Sequence, residues 1–161
     1  MIDSIKMKLI NTPNINLARK QIDSLSNNDK KVIVLSQASD EFNRKIIENK
    51  KVDVFLLNED IRLRDYTKQR NSQFNEILCK LATKNNIKVA IDIEKIIKKN
   101  DIEKSKSLAR LVQNITLCKK AKCELIFYKN SFNKKELQSL MLILGASTSQ
   151  AKKSSEESFF N

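Results

Sequence analysis

The chain has 161 residues and a formal charge of +12, from 31 Lys and Arg against 19 Asp and Glu, with no histidine, one glycine and three cysteines. That length suits one domain with a buried core, or slightly less than one of a larger fold, and a 40% hydrophobic content sets the chain apart from disordered sequences. The missing histidine excludes Ser–His and Cys–His pairs and most zinc sites, the lone glycine excludes GxGxxG and Walker loops, and no apolar run reaches the length of a membrane span or a signal core.

In chain order, residues 7–10 are a short apolar strand ended by "NTP". Residues 16–25 then read as a helix with Ile15, Ala18, Ile22 and Leu25 on one side. "KVIVLS", 31–36, is a continuous β-branched run of the kind that fills buried parallel strands. A helix over 39–49 carries Phe42, Ile46 and Ile47, and "VDVFLLN", 52–58, is a second buried strand. A polar, basic loop leads to a helix predicted over 72–84, with Phe74, Ile77, Leu78, Leu81 and Ala82 inward. Asn85-Asn86 suits a left-handed cap before the strand "IKVAIDI", 87–93.

A longer helix follows over about 102–121, with Asp101 as its expected N-cap and Leu108, Leu111, Val112, Ile115 and Cys118 on its apolar face. "CELIFY", 123–128, is the last strand. Asn133 and Glu136 form a capping box that opens a helix burying Leu137, Leu140, Met141 and Leu144, and Gly145 stands where a left-handed residue ends it. The domain division expected is 1–145 for the strand–helix body and 146–161 for a C-terminal helix or tail. Strands alternating with helices imply a parallel sheet with right-handed crossovers, either open and doubly wound or part of a (β/α) barrel.

In either architecture, function sits in the loops after the strand C-termini. The longest such loop, 58–71, holds Arg62, Arg64, Lys68 and Arg70, together with Tyr66 as its one aromatic. A phosphate near Asn71 and Ser72 would meet Arg70 and the amides of the following helix N-terminus. Between Lys98 and Lys135 lie eleven Lys or Arg and three acids, so Lys104, Lys106, Arg110 and Lys119 can reach phosphates without reading sequence. A net charge of this size fits a polyanion partner, although solvated lysine is the ordinary state of a protein surface. Asp53, Asp60, Asp65 and Asp92 have no metal-site spacing and read as local caps or pairs, and Ser36 and Ser39 lack a base partner. Cys79 and Cys118 fall among apolar helix positions and read as core filler, and an odd thiol count places the protein in a reducing, cytoplasmic setting.

Three stretches, in order and at matching spacing, carry a family resemblance. "YTKQRNSQFNEILCKLATKNNIKVAIDI" resembles the loop–helix–strand signature of the archaeal ribonuclease P protein component 3 family, the p30-type subunit. "LARLVQNITLCKKAKCELIF" resembles the family's basic helix, with Arg110 and Asn114 on the matching Arg and Asn. "FNKKELQSLMLILGASTSQAKKSSEE" is similar to its closing segment. The resemblance covers the chain from about Met7 onward. Here Val112 and Gln113 stand where the family has basic residues, and Lys122-Cys123 replaces a turn glycine.

The resemblance implies a truncated TIM-barrel-like fold related to the PHP phosphoesterases, lacking the first β/α units and the metal site. It implies a subunit of the ribonucleoprotein that removes the 5′ leader from precursor tRNA. The implied partners are the ribonuclease P RNA, precursor tRNA indirectly, and the component 2 (Pop5-like) protein. Cleavage is implied to belong to the RNA and its Mg2+, with no cofactor, metal or catalytic residue supplied by this chain. The candidate contacts to RNA or partner are Arg62, Arg64, Lys68, Arg70, Asn71, Lys104, Lys106, Arg110, Asn114 and Lys119. Two other classes stand beside this one: a basic adaptor that touches only proteins, and a degenerate PHP-type phosphoesterase, against which the absence of histidine weighs.

Overall fold

The computed structural model describes residues 7–28, 30–61 and 63–158. Five strands, β1 (Met7–Ile10), β2 (Lys31–Leu35), β3 (Val54–Leu56), β4 (Lys88–Ile91) and β5 (Leu125–Phe127), form one parallel sheet in the order of the sequence. The described helices are α1 (Ile15–Ser26), α2 (Asp40–Ile47), α3 (Glu76–Lys84), α4 (Ile93–Lys98), α5 (Asp101–Ala121), α6 (Lys134–Ile143) and α7 (Thr148–Glu157). An order without reversal has no switch point, so the doubly wound alternative does not hold. Among the described residues the sheet is open, with β1 and β5 at its two edges, and does not close into a barrel.

Alternation along the strands divides the core. Val32, Val34, Phe55, Leu57, Val89, Ile91, Leu125 and Phe127 share one cluster with the buried faces of the helices. Ile33, Leu35, Val54, Leu56, Ala90 and Ile126 form a second cluster on the opposite face, and no described helix contributes a residue to it. All helical crossovers thus return over a single face, as uniform handedness with a sequential strand order requires. At the far edge, α7 packs on α6 and β5 and buries Ala151, and the Ser158 hydroxyl accepts the Phe127 amide at 2.9 Å. That contact satisfies a backbone donor on the edge strand.

Helix boundaries follow their caps. Asn14, Ser39, Asn75, Asp92, Asn100, Asn133 and Ser147 each precede a helix in extended backbone, with a side chain accepting from an amide of the first turn. The capping box of Asn133 and Glu136 is formed, and Gly145 (φ 96) and Asn86 (φ 56) are left-handed as their positions demand.

Three expectations are corrected. α3 begins at Glu76 rather than at residue 72, because Gln73 is left-handed (φ 63), which no helix admits, and Asn75 supplies the cap. Ile77 is therefore on the outer side and 63% exposed, while Leu78, Cys79 and Ala82 go inward. Asn100, not Asp101, caps α5, and the expected strand over 87–93 stops at Ile91, because Asp92 accepts from the Lys95 amide and opens α4, a helix the sequence reading does not include.

Candidate nucleic-acid interface

The long connection from β3 to α3 lies at the C-terminal rim of the sheet, and buried polar side chains hold it there. Ser36, just beyond the end of β2, accepts the Asn58 amide at 2.9 Å and donates to the Gln73 side-chain oxygen. Gln73 returns its amide nitrogen to the Asn58 carbonyl at 2.8 Å. Ser36 and Gln73 are buried, so these bonds close the loop's two ends onto the sheet. The buried Asn43 holds the next connection, exchanging 2.8 Å bonds with both backbone atoms of Gln37.

The middle of the loop is docked on α5. Asp65 accepts the Asn71 amide at 2.8 Å and meets the Arg110 guanidinium at 3.2 Å and that of Arg70 at 3.6 Å. Arg110 also donates to the Leu63 carbonyl at 3.2 Å. One turn on, the Gln113 amide grips both backbone atoms of Arg70, accepting its N–H at 3.0 Å and donating to its carbonyl at 2.9 Å. A turn after Arg110, the buried Asn114 accepts the Ser72 hydroxyl at 2.7 Å. A spacing of three and four residues puts Arg110, Gln113 and Asn114 on one face of α5, which is why one helix can hold the whole loop. Lys99 reinforces the entry, bonding Glu59 at 2.9 Å and the Ser107 hydroxyl at 2.8 Å.

The Asp65 carboxyl is held below its ordinary range. Burial acts to raise it, but the Asn71 amide and the Arg110 guanidinium, with Arg70 behind them, outweigh that. A depressed folded-state pKa stabilises the fold above the unfolded value of about 3.9 and loses that contribution as pH falls further. Asp65→Asn is therefore expected to be less stable than the parent at pH 7, with the difference shrinking as pH falls below 3. Urea denaturation at both pH values checks this, and a constant difference would contradict it.

The structure sorts the sequence-predicted cations by what they do. Arg62 lies outside the described residues. Arg64 and Lys68 are exposed, and no ion pair joins either to a described residue. Tyr66 beside them is 58% exposed. Arg110 and Arg70 share Asp65, and Asn71 and Asn114 are occupied in loop docking. The expected phosphate seat on the amides of Asn71 and Ser72 is corrected: α3 starts farther on, and the Asn71 amide is taken by Asp65. Lys104 and Lys106 make only long surface pairs, 3.8 Å to Asp101 and 3.5 Å to Glu103, which leave them open to a stronger anion. Lys119 is exposed about 13 Å farther along the α5 axis than Arg110, at the opposite end of the sheet.

The carboxylates behave as caps and pairs. Asp53 accepts the Val32 amide at 2.7 Å, Asp60 pairs with Lys95 at 2.5 Å, and Asp92 caps α4. Among the described residues no acidic cluster has metal-binding geometry, and no helix is long and apolar enough to cross a membrane. Sequence reasoning missed Gln73 and Gln113. Gln73 sits in a polar loop with no periodicity, and Gln113 occupies a position where the resemblance leads one to expect a base.

The sequence matches no family model and no curated protein. The fold is similar to that of a chain in a solved assembly described as the cryo-EM structure of archaeal ribonuclease P with mature tRNA. The TM-score is 0.75 at 17% sequence identity, covering 93% of this chain and 64% of that one. The chain thus spans less than two thirds of the length of the solved chain it resembles.

Proposed function

We propose that this chain is a protein subunit of ribonuclease P, of the p30 type, that supports RNA-catalysed removal of the 5′ leader from precursor tRNA. The observation that carries this reading is the likeness, over 93% of the chain, to a chain from an archaeal ribonuclease P assembly. The net charge of +12 and the three ordered sequence stretches support it. The sequential parallel sheet, with helices on one face and an apolar opposite face, is read as a truncated β/α barrel of the PHP-related kind.

In this reading the C-terminal rim is the RNA-facing side. Arg64 and Lys68 project from a loop made rigid by Asp65, Gln113 and Asn114, and Arg62 adds a further cation to the same stretch of sequence. Lys104 and Lys106 extend the cationic surface along α5, and Tyr66 offers a ring for stacking. Arg70, Arg110, Asn71 and Asn114 set the loop's shape, and Lys119 faces a different part of the assembly. The chain supplies no active site, Mg2+ serves the RNA subunit, and the component 2 protein is the protein partner.

Reconstitution tests the proposal. The chain alone is expected to cleave nothing. Added with component 2 to the RNA subunit, it is expected to raise precursor tRNA cleavage at limiting Mg2+. Cleavage by the isolated protein, or a rate indifferent to its addition, would overturn the proposal.

A further inference from the structure

The chain's three cysteines meet at one point, Cys79 from 39 residues before Cys118 and Cys123 from just beyond the same helix. Cys79 comes from α3, Cys118 from α5, and Cys123 from the turn before β5, and all three are buried. Their sulfurs lie within 4.8 Å of one another, and those of Cys79 and Cys118, 39 residues apart, are 4.0 Å apart. The local chain path builds this meeting. Lys122 ends α5 in the left-handed conformation (φ 56, ψ 32), and the chain doubles back so that the Cys123 amide reaches the Cys118 carbonyl at 2.9 Å. Cys123 is thereby tucked under the helix it has just left, facing the sulfur of α3.

We propose that Cys79, Cys118 and Cys123 form a binding site for one thiophilic cation, Zn2+ or Cu(I). Three thiolates on a metal with bonds of about 2.3 Å stand about 3.8 Å apart in a tetrahedral arrangement, so the observed cluster is within a small side-chain adjustment of the liganded one. Thiolate-only donor sets select Cu(I) and Zn2+ over harder ions. With sulfur alone the site suits three-coordinate Cu(I), and a water entering from the surface would complete a tetrahedron for Zn2+. A groove of about 240 Å³ lined by Cys118 and Cys123 supplies the entry path. Lys119, Lys122 and Lys153 line the same groove with Glu124 and Glu157, and Lys153 pairs with Glu124 at 2.5 Å, so a small positive surplus faces the negative charge of a tris-thiolate complex.

The protonation pattern agrees with this assignment. Thiol donation from Cys118 and Cys79 pulls Cys123 down, to about 4. Donation from Cys118 also acts to lower Cys79, but Cys123 and burial win and push it up to about 12, and Cys118 is raised by the same neighbours. Ligation as thiolates therefore requires the cluster to release protons to a metal. This inference is independent of the ribonuclease P reading, since the isolated chain holds every ligand.

The test is a titration of the full-length, fully reduced, anaerobic chain with Co2+, as a coloured probe for the zinc arm, and separately with Cu(I), each against a competing chelator. One equivalent is expected to bind in at least one arm, with thiolate-to-metal charge-transfer absorption. The thermal midpoint is expected to rise by roughly 5–10 °C at a free concentration a hundredfold above Kd. Affinity is expected to rise between pH 6 and 8 by about tenfold per pH unit for each proton released. Cys123→Ser and Cys79→Ser, each close to the original in volume, are expected to lose the charge-transfer band and at least tenfold in affinity. No one-to-one binding in either arm would overturn the proposal, as would binding with full affinity by the serine variants. Should the variants not fold, a wild-type affinity independent of pH overturns it, because ligation by protonated thiols must release protons.

Discussion

Phe55→Ala lowers the free energy of unfolding by about 3–5 kcal/mol, a large share of the 5–15 kcal/mol typical of a domain. Phe55 is fully buried on β3, the middle strand, level with Val34 on β2 and Val89 on β4. Its ring lies on the face covered by the helices, where a void would be bounded by elements fixed on both sides. Such a site collapses poorly, which places the cost toward the upper end of the range for aromatic truncation. The urea midpoint should fall with little change in slope. Ile77→Ala, on the exposed side of α3, should stay within about 0.5 kcal/mol of the parent. A loss below 1 kcal/mol for Phe55→Ala would mean that the centre of the sheet is not the centre of the core.

On the proposed function, the double substitution Arg64→Ala with Lys68→Ala is expected to weaken binding to the ribonuclease P RNA by about thirtyfold at 0.15 M salt and to flatten the salt dependence by roughly 1.5–2 units, the values for two lost phosphate contacts. Both side chains are exposed and make no ion pair with a described residue, so nothing in the fold is given up with them. Stability should therefore remain within about 0.5 kcal/mol of the parent. Arg110→Ala behaves differently. It leaves Asp65 with only the more distant Arg70 as an ionic partner and frees the loop from α5, so it couples binding to local order. Binding measured across a salt series, with denaturation as the control, separates the two cases. Unchanged RNA affinity and salt slope in the double variant, together with lost binding to component 2, would make this rim a protein interface instead.

Much of the fold is legible residue by residue. "KVIVLS" and "VDVFLLN" announce buried strands because parallel strands are covered on both faces and need no alternation. The helices of Ile22 and Leu25, of Leu111 and Ile115, and of Leu137 and Met141 are fixed by a three-and-four spacing that only one periodicity satisfies. The capping box of Asn133 and Glu136 and the turn at Gly145 are short-range devices, and both form as their chemistry dictates. The start of α3 was not legible. The apolar period in "NSQFNEIL" reaches back to Phe74, and the later start at Asn75 is set by Ser36 and Asn58, which bond the side chain of the left-handed Gln73. α4 was hidden for a similar reason: "AIDIEKII" is apolar enough to continue a strand, and Asp92 turns it into a helix by capping.

Of the rim, sequence by itself determined the ingredients: a long loop after a buried strand, a run of cations in it, and a basic helix downstream. Charge, apolar period and loop length are local properties, and they survive without knowledge of what lies opposite. Only the tertiary structure decided the division of labour among those cations. Arg64 and Lys68 face solvent, while Arg70 and Arg110 close on Asp65, because α5 crosses the rim at the one place where Arg110, Gln113 and Asn114 can reach the loop together. The same holds for the cysteines. In sequence Cys79, Cys118 and Cys123 have no motif spacing, and Cys79 and Cys118 read as core filler. The turn at Lys122 that returns Cys123 to Cys118 is local, but their meeting with Cys79 depends on how α3 packs against α5, a long-range contact that no window along the chain contains.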